Sequence, residues 1–379
     1  MSTAAQVGLF TFATRNLGDE MQSFAVLSHV DRVQTFVDRD ALPEHQSGID
    51  TACVFNSWFM QGDDFRRPSN RIKPVWHGFA AGRPQITTGD WLSYLREQPR
   101  VGCRDLFTTR LLTEAGVKAY WSGCLTLFLG QALNVSPRER RGVVFVDVPA
   151  EAERVIPREI VARAVRLSTF PPPGIIHKPL ERWAALGRLS DILARAELVV
   201  TRRLHVALPA ASFGTPVVVF PDGAISQARR RFSGYESVLP IVFLDELEAG
   251  TRRIDWSAVS PAWIPRELIE SHATLRGTLA ERGIGNVPRP SSILDDIGRH
   301  QQRLTNIDRL ERPSRIGLRL NDQRFELDVK LWTDRHVDVA LSGFPGLSKF
   351  DFHVEVQTSP ERPWVRWGCL RDLIDESPA

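Results

Sequence analysis

The chain has 379 residues, 42% of them hydrophobic and 25% charged, with a formal net charge of +3. That length exceeds one ordinary core and points to two domains and a small third unit, while the near-balanced charge excludes the strongly basic surface of a nucleic-acid binder. Cys53, Cys103, Cys124 and Cys369 form no C-x-x-C pair, and no apolar run approaches the ~20 residues of a membrane span or opens the chain as a secretory leader, so a reducing, cytoplasmic setting is expected.

In chain order, "QVGLFTFA" (6–13) predicts a strand and "GDEMQSFAVLSHV" (18–30) an amphipathic helix with Met21, Phe24, Ala25 and Leu27 on one side. Strands follow at 50–58, 72–80 and 100–104. Residues 105–116 predict a helix capped by Asp105 and closed by Gly116. "GCLTLFL" reads as a buried turn and strand. A second series opens with a strand at 141–149. It continues with a helical stretch near 150–168, a short strand at 174–179 and a helix at 181–196. "VVTRRLHVALPAASFGTPVVVF" (199–220) then reads as strand, charged turn, short helix and strand. Strands alternating with helices predict parallel sheets. Two such series predict an α/β protein of two Rossmann-like domains facing a cleft, residues 1–135 and 136–300. Residues 301–379 read as a small β-rich tail. Within it 314–344 is an antiparallel meander turning at Asn321-Asp322 and Thr333-Asp334, and 349–357 adds a strand.

Ligands of parallel sheets bind beyond the carboxyl ends of strands. Arg15, Asn16, Gly18 and Asp19 follow the first strand, Trp76 and His77 end the third, Arg104 ends the fourth, and Arg202, Arg203 and His205 end a late one. Asp19 and Glu20 suit the positive end of a helix and would repel phosphate, so that turn is expected to accept hydrogen bonds from sugar hydroxyls. Two guanidinium groups and an imidazole at residues 202–205 form the opposite, an anion site. Against this, His205 could simply bond a backbone carbonyl, and Arg202 and Arg203 could diverge. The D-x-D match at 38–40 carries little weight as a metal site. Trp58, Trp76 and Trp121 could stack on sugars, with core packing the default. No G-x-G-x-x-G follows a strand and no Walker loop is present, so no nucleotide cofactor is expected.

Four stretches together resemble the polysaccharide pyruvyl transferase family: "NLGDEMQSFA" (16–25), "VGCRDLFTTRLLTEAGVKAYWSGCLTLFL" (101–129), "HKPLERWAALGRLSDILARAELVVTRRLHVALPAASFGTPVVVF" (177–220) and "RRFSGYESVL" (230–239). The likeness covers roughly 10–240, in order. It implies a GT-B-like fold. It also implies phosphoenolpyruvate as donor, a sugar diol of a cell-surface polysaccharide or lipid-linked precursor as acceptor, and a cyclic pyruvate ketal as product. Donor-binding positions of the family correspond to Arg104, Arg203, Leu204 and His205. Some members carry a lysine in the loop after the late strand. Here residues 221–236 hold none, and Arg229, Arg230 and Arg231 are the cations available. The expected catalytic residues are therefore His205, Arg203 and Arg104. Arg202, Leu204, His177, Asn16, Gly18, Asp19, His77 and Arg231 are expected to bind substrate, with no metal and no cofactor. His205 or His177 is the candidate general acid. No nucleic-acid partner is expected. Peripheral membrane association at the inner face and homo-oligomerisation stay open. A GT-B glycosyltransferase using a nucleotide sugar and a non-catalytic glycan-binding relative are the alternatives.

Overall fold

The structure is a computed structural model. It describes residues 5–12, 14–30, 32–59, 66–81, 84–132, 140–170, 179–221 and 225–285, and the backbone of strands between 315 and 369. Strand β1 (Gln6–Thr11) leads into helix α1 (Leu17–Leu27), then β2 (Thr35–Asp38), β3 (Thr51–Val54), β4 (Trp58–Phe59), β5 (Ile72–Val75) and β6 (Ala80–Ala81). Helix α2 (Gly89–Arg96), β7 (Val101–Cys103), α3 (Leu106–Glu114) and β8 (Ala119–Trp121) follow, and α4 (Leu129–Ala132) comes after a 3-10 turn. The second series is β9 (Val143–Val146), α5 (Ala150–Glu153), α6 (Arg158–Arg163), β10 (Ala164–Leu167), α7 (Pro179–Arg195), β11 (Leu198–Thr201), α8 (Leu204–Ser212) and β12 (Val217–Val219). Helices α9 (Ile225–Phe232), α10 (Leu244–Glu248) and α11 (Arg266–Glu281) end it.

The protein is a mixed α/β fold built on parallel sheets. One sheet has the order β2-β1-β3-β5 and another the order β10-β9-β11-β12, every pairing parallel. Strands β3, β9, β11 and β12 are buried on both faces and read as nearly unbroken apolar runs. Alternation still assigns the faces. Val7 and Leu9 of β1, Val144 and Val146 of β9, and Val217 and Val219 of β12 join one core with α1, α7 and α8. Phe10 and Phe12 face a second core with Phe55, Phe59 and Trp91. Val143, Phe145, Val200 and Val218 face a third, against Ile156 and Ile160. The helices between the two sheets thus share one core with both.

Two expected elements differ. Residues 164–167 of the expected 150–168 helix form β10, an edge strand whose Val165 is half exposed and whose Arg166 pairs with Glu153. The pairing that β9 offers along its parallel edge overrides the local helical reading here. "GCLTLFL" forms a 3-10 turn (Leu125–Phe128) running into α4 rather than a strand. Short buried apolar runs carry no period that separates helix from strand, and Gly123, at φ 72°, bends the chain away from β8. Most of the expected strand at 174–179, with His177, and the turns at 321–322 and 333–334 lie outside the described residues.

By backbone contacts the chain divides into two compact units, residues 1–171 with 179–298, and 172–178 with 299–379. The second contains β13 (Arg315–Leu320), β14 (Gln323–Leu327), β15 (Val329–Trp332), β16 (Val337–Val339), β17 (His353–Gln357) and β18 (Val365–Cys369). These pair antiparallel, in the order β14-β13-β17-β18 and as β15-β16. Among the described residues no helix is long and apolar enough to cross a membrane.

Candidate active site

The register of the second parallel sheet brings its strand ends level. Val146 of β9 pairs with Thr201 of β11 and with Leu167 of β10. Asp147, Arg202 and Ser168 therefore leave the sheet side by side. Thr201 fastens the turn: its hydroxyl donates to the Val146 carbonyl at 2.8 Å and accepts the Arg203 N–H at 3.0 Å. Arg203 is the N-cap residue of α8 and caps nothing with its own side chain. It reaches across to Asp147, Nε to Oδ2, at 3.0 Å, and its Cζ lies 5.0 Å from the Phe170 ring centre. Placed at the positive end of α8, its guanidinium adds to a potential that favours anions.

Asp147 holds this corner together. Its backbone has φ 51°, unusual for a residue other than glycine. Its carboxylate accepts from the Ser168 hydroxyl at 2.8 Å, the Thr169 hydroxyl at 2.6 Å and the Thr169 N–H at 3.2 Å, besides Arg203. Burial alone would raise the carboxyl. The hydrogen bonds from Thr169, Ser168 and Arg203 more than offset it and hold the pKa below the ordinary value. Thr169 then passes the connection on, its carbonyl accepting the Leu17 N–H at the start of α1 at 2.9 Å. In that turn the Asn16 side chain caps Gly18 N–H at 2.9 Å, and Asp19 accepts from the Thr14 hydroxyl at 2.5 Å. The α1 turn and the Arg203 corner are thus bonded neighbours.

A second cationic group acts on His205, the residue two after Arg203. Arg104, just after β7, is 2% exposed. Its backbone is locked by its N–H to the Phe79 carbonyl at 2.8 Å. Its own carbonyl accepts from the Tyr235 hydroxyl at 2.7 Å and the Trp121 indole at 3.1 Å. One guanidinium nitrogen pairs with Asp105 at 3.2 Å, while Nε meets no partner among the described residues. Asp105 also caps α3 through the Thr108 N–H at 2.8 Å. Burial pushes its carboxyl up even though Arg104 pulls it down. Arg231, in the last turn of α9, has its Cζ 4.7 Å from the Trp58 ring centre, and Arg104 lies 6.0 Å from the same ring.

His205 is buried in the first turn of α8, off helical geometry at φ −82° and ψ 20°, with no partner at Nε2 among the described residues. Burial, then the charges of Arg104 and Arg231, push its pKa well below the usual value. In the unliganded protein the imidazole is therefore neutral. A bound dianion opposes the two charge contributions and so favours protonation, against the burial that remains.

The structure thus brings Arg104, Arg231 and His205 together, and joins Arg203 to the turn of Asn16, Gly18 and Asp19. Arg202 is half-buried beside Arg203, and Leu204 is a core residue. His77 goes elsewhere. It is fully buried and its pKa falls to about 3, through burial and then the neighbouring His272 and His29. Those two share a 2.7 Å contact between their Nε2 atoms. Asp147 was not singled out from sequence; an acid ending the strand "VVFV" was its signal. The D-x-D at 38–40 is a local cap: Asp38 accepts the Asp40 N–H and Asp40 pairs with Arg39.

Comparison with known proteins adds one substantial match. The family model described as polysaccharide pyruvyl transferase matches residues 16–222. Among solved structures, a protein of uncharacterised function from Klebsiella pneumoniae is 13% identical, with 63% of this chain and 92% of that chain covered and a TM-score of 0.39. A family 9 glycosyl transferase from Veillonella parvula is 12% identical, with 73% and 99% covered and a TM-score of 0.25. No curated protein sequence matches.

Proposed function

The chain belongs to the polysaccharide pyruvyl transferase family, and from that premise we propose that it moves the enolpyruvyl group of phosphoenolpyruvate onto a sugar diol of a polysaccharide or its precursor. The observation that carries this reading is the cluster of arginines near the N-terminus of α8. Arg104 and Arg231 both act on a buried, neutral His205, and Arg203, tied to Asp147, caps the helix that carries this histidine. Guanidinium groups gathered at a helix N-terminus suit a small polyanion.

In this reading the two parallel sheets act as the acceptor and donor halves of a GT-B-like pair, residues 1–135 and 136–300. Arg203, its Nε tied to Asp147, offers its remaining guanidinium edge to the donor. Arg104 and Arg231 take the rest of the negative charge. The donor dianion draws a proton onto His205, which delivers it to the methylene carbon. The central carbon gains cationic character and one sugar hydroxyl adds to it. The bond from that carbon to the phosphate oxygen then breaks, and phosphate departs with the electron pair, stabilised by the arginines. The adjacent hydroxyl closes the ketal. Of the two hydroxyl protons released, one restores His205 and one leaves with the phosphate. The turn at Asn16 and Asp19 orients the acceptor through hydroxyl hydrogen bonds. No further cofactor enters these steps.

Calorimetric titration tests the donor. Phosphoenolpyruvate is expected to bind the wild type and to lose that binding in Arg203→Ala, while uridine diphosphate gives no heat. Binding of uridine diphosphate without phosphoenolpyruvate would overturn the reading in favour of a nucleotide-sugar enzyme.

A further inference from the structure

Trp58 lies in the two-residue strand β4, paired with β6 and outside the principal sheets. Its neighbours are unusual for a core tryptophan. The Arg231 guanidinium lies 4.7 Å and that of Arg104 6.0 Å from its ring centre. An indole face attracts one cation readily, and two cations on one ring repel each other. The polar end of the ring is as unusual as its face. The indole Nε1–H is buried and meets no hydrogen-bond partner among the described residues. Buried tryptophan N–H groups ordinarily find an acceptor, and leaving one unmade costs stability.

Two further groups in the same neighbourhood share this condition. Arg104 Nε and His205 Nε2 are also buried without a partner among the described residues. His205 feels the charges of both Arg104 and Arg231. Orphaned hydrogen-bonding groups and two guanidinium groups therefore cluster about Trp58 and His205. What satisfies those unpartnered groups is a compact anion with several acceptor oxygens. A phosphoryl group has them; a carboxylate alone has too few.

We propose that the indole N–H of Trp58 donates a hydrogen bond to the phosphoryl group of the anion bound between Arg104 and Arg231. This rests on the functional reading above for the identity of the donor substrate, and on the structure alone for the phosphoryl contact. Trp58 is thereby a binding residue on the phosphate side. Arg203, held by Asp147 at the other corner, is left for the carboxylate.

The experiment uses the full chain and three probes, phosphoenolpyruvate, inorganic phosphate and pyruvate, titrated by calorimetry into the wild type and Trp58→Phe. Phenylalanine keeps a ring for the arginines and removes only the N–H and the second ring. A hydrogen bond to a charged group corresponds to roughly a tenfold to hundredfold change in affinity. Trp58→Phe is expected to weaken phosphoenolpyruvate and inorganic phosphate by that factor and to leave pyruvate unchanged. Equal affinity of both proteins for the two phosphates would overturn the proposal. So would a loss confined to pyruvate, or a wild type that binds neither phosphate probe. A wild type that binds inorganic phosphate, weakened by Trp58→Phe, but does not bind phosphoenolpyruvate would sink the functional reading and leave the phosphoryl contact standing. Thermal melting checks that the variant is folded. If it is not, Trp58→Tyr, which keeps a polar ring but moves its donor away from the Nε1 position, gives the same readout.

Discussion

Replacing Asp147 should uncouple Arg203 from the α1 turn, and its cost can be worked from the contacts. The carboxylate accepts four hydrogen bonds, one of them in an ion pair whose side chains are 15% and 6% exposed. Hydrogen bonds to a charged group contribute about 1.5–3 kcal/mol, against about 1 kcal/mol for neutral ones. Asp147→Asn keeps the shape and tolerates the positive φ but loses the charge, so a loss of about 2–3 kcal/mol is expected. Asp147→Ala also strands Arg203 and leaves Thr169 and Ser168 without an acceptor, for about 3–5 kcal/mol. Asp147→Gly should be about 1 kcal/mol more stable than Asp147→Ala, because glycine relieves the left-handed backbone. The order wild type, Asn, Gly, Ala is therefore expected in thermal melts, at roughly 2 °C per kcal/mol for a unit this large. Titration with phosphoenolpyruvate gives the functional half. Asp147→Asn should weaken binding, and the double variant with Arg203→Ala should be no weaker than Arg203→Ala alone. An Asp147→Ala protein melting with the wild type, or losses that simply add in the double variant, would refute the reasoning.

Two further outcomes follow from the buried histidines. His77 and His272 titrate near pH 3 in the folded chain and His29 and His205 below their usual value, so these groups stay neutral where the unfolded chain takes up protons. Their contribution to stability is complete above about pH 6.5 and is lost as the pH falls towards about 3. Glu20, pushed up to about 7 by burial against the pull of Arg182, has the opposite sign, its contribution being lost as pH rises through that value. The melting temperature should thus fall steadily below pH 6.5, and a flat profile from pH 7 to about 4.5 would contradict the assignment. Phosphoenolpyruvate binding near pH 7 should draw in a proton at His205, seen as a dependence of the binding heat on the buffer's ionisation enthalpy. His205→Gln should remove that dependence; if it stays, the proton goes elsewhere.

The parallel strands are legible in the sequence because both of their faces are buried. A run such as "VVFV" has nowhere polar to turn, and the charged residues that follow it must stand at a sheet edge. That is why Arg104, Arg203 and His205 can be picked out as strand-end residues without coordinates. His77 shows the limit of the argument. It also ends a strand, yet the groups that act on it are His29, just past α1, and His272 of α11, almost two hundred residues later in the chain, and no local pattern reveals a tertiary neighbour of that reach. Asp147 was hidden for a related reason: its role depends on the level register of β9, β10 and β11, and residues 164–167 read locally as the end of a helix. Trp58 looked like core or sugar platform because nothing in "FNSWFM" announces the two arginines that later elements bring to it.

The most direct measurement of ketal formation incubates the purified protein with phosphoenolpyruvate and glycan acceptors, and follows the acceptor by mass spectrometry alongside released phosphate. The account predicts acceptor that gains the mass of pyruvic acid less one water, one phosphate released for each product, and neither with His205→Ala. Phosphate release without modified acceptor, or acceptor that gains a sugar residue only when a nucleotide sugar is supplied, would contradict it.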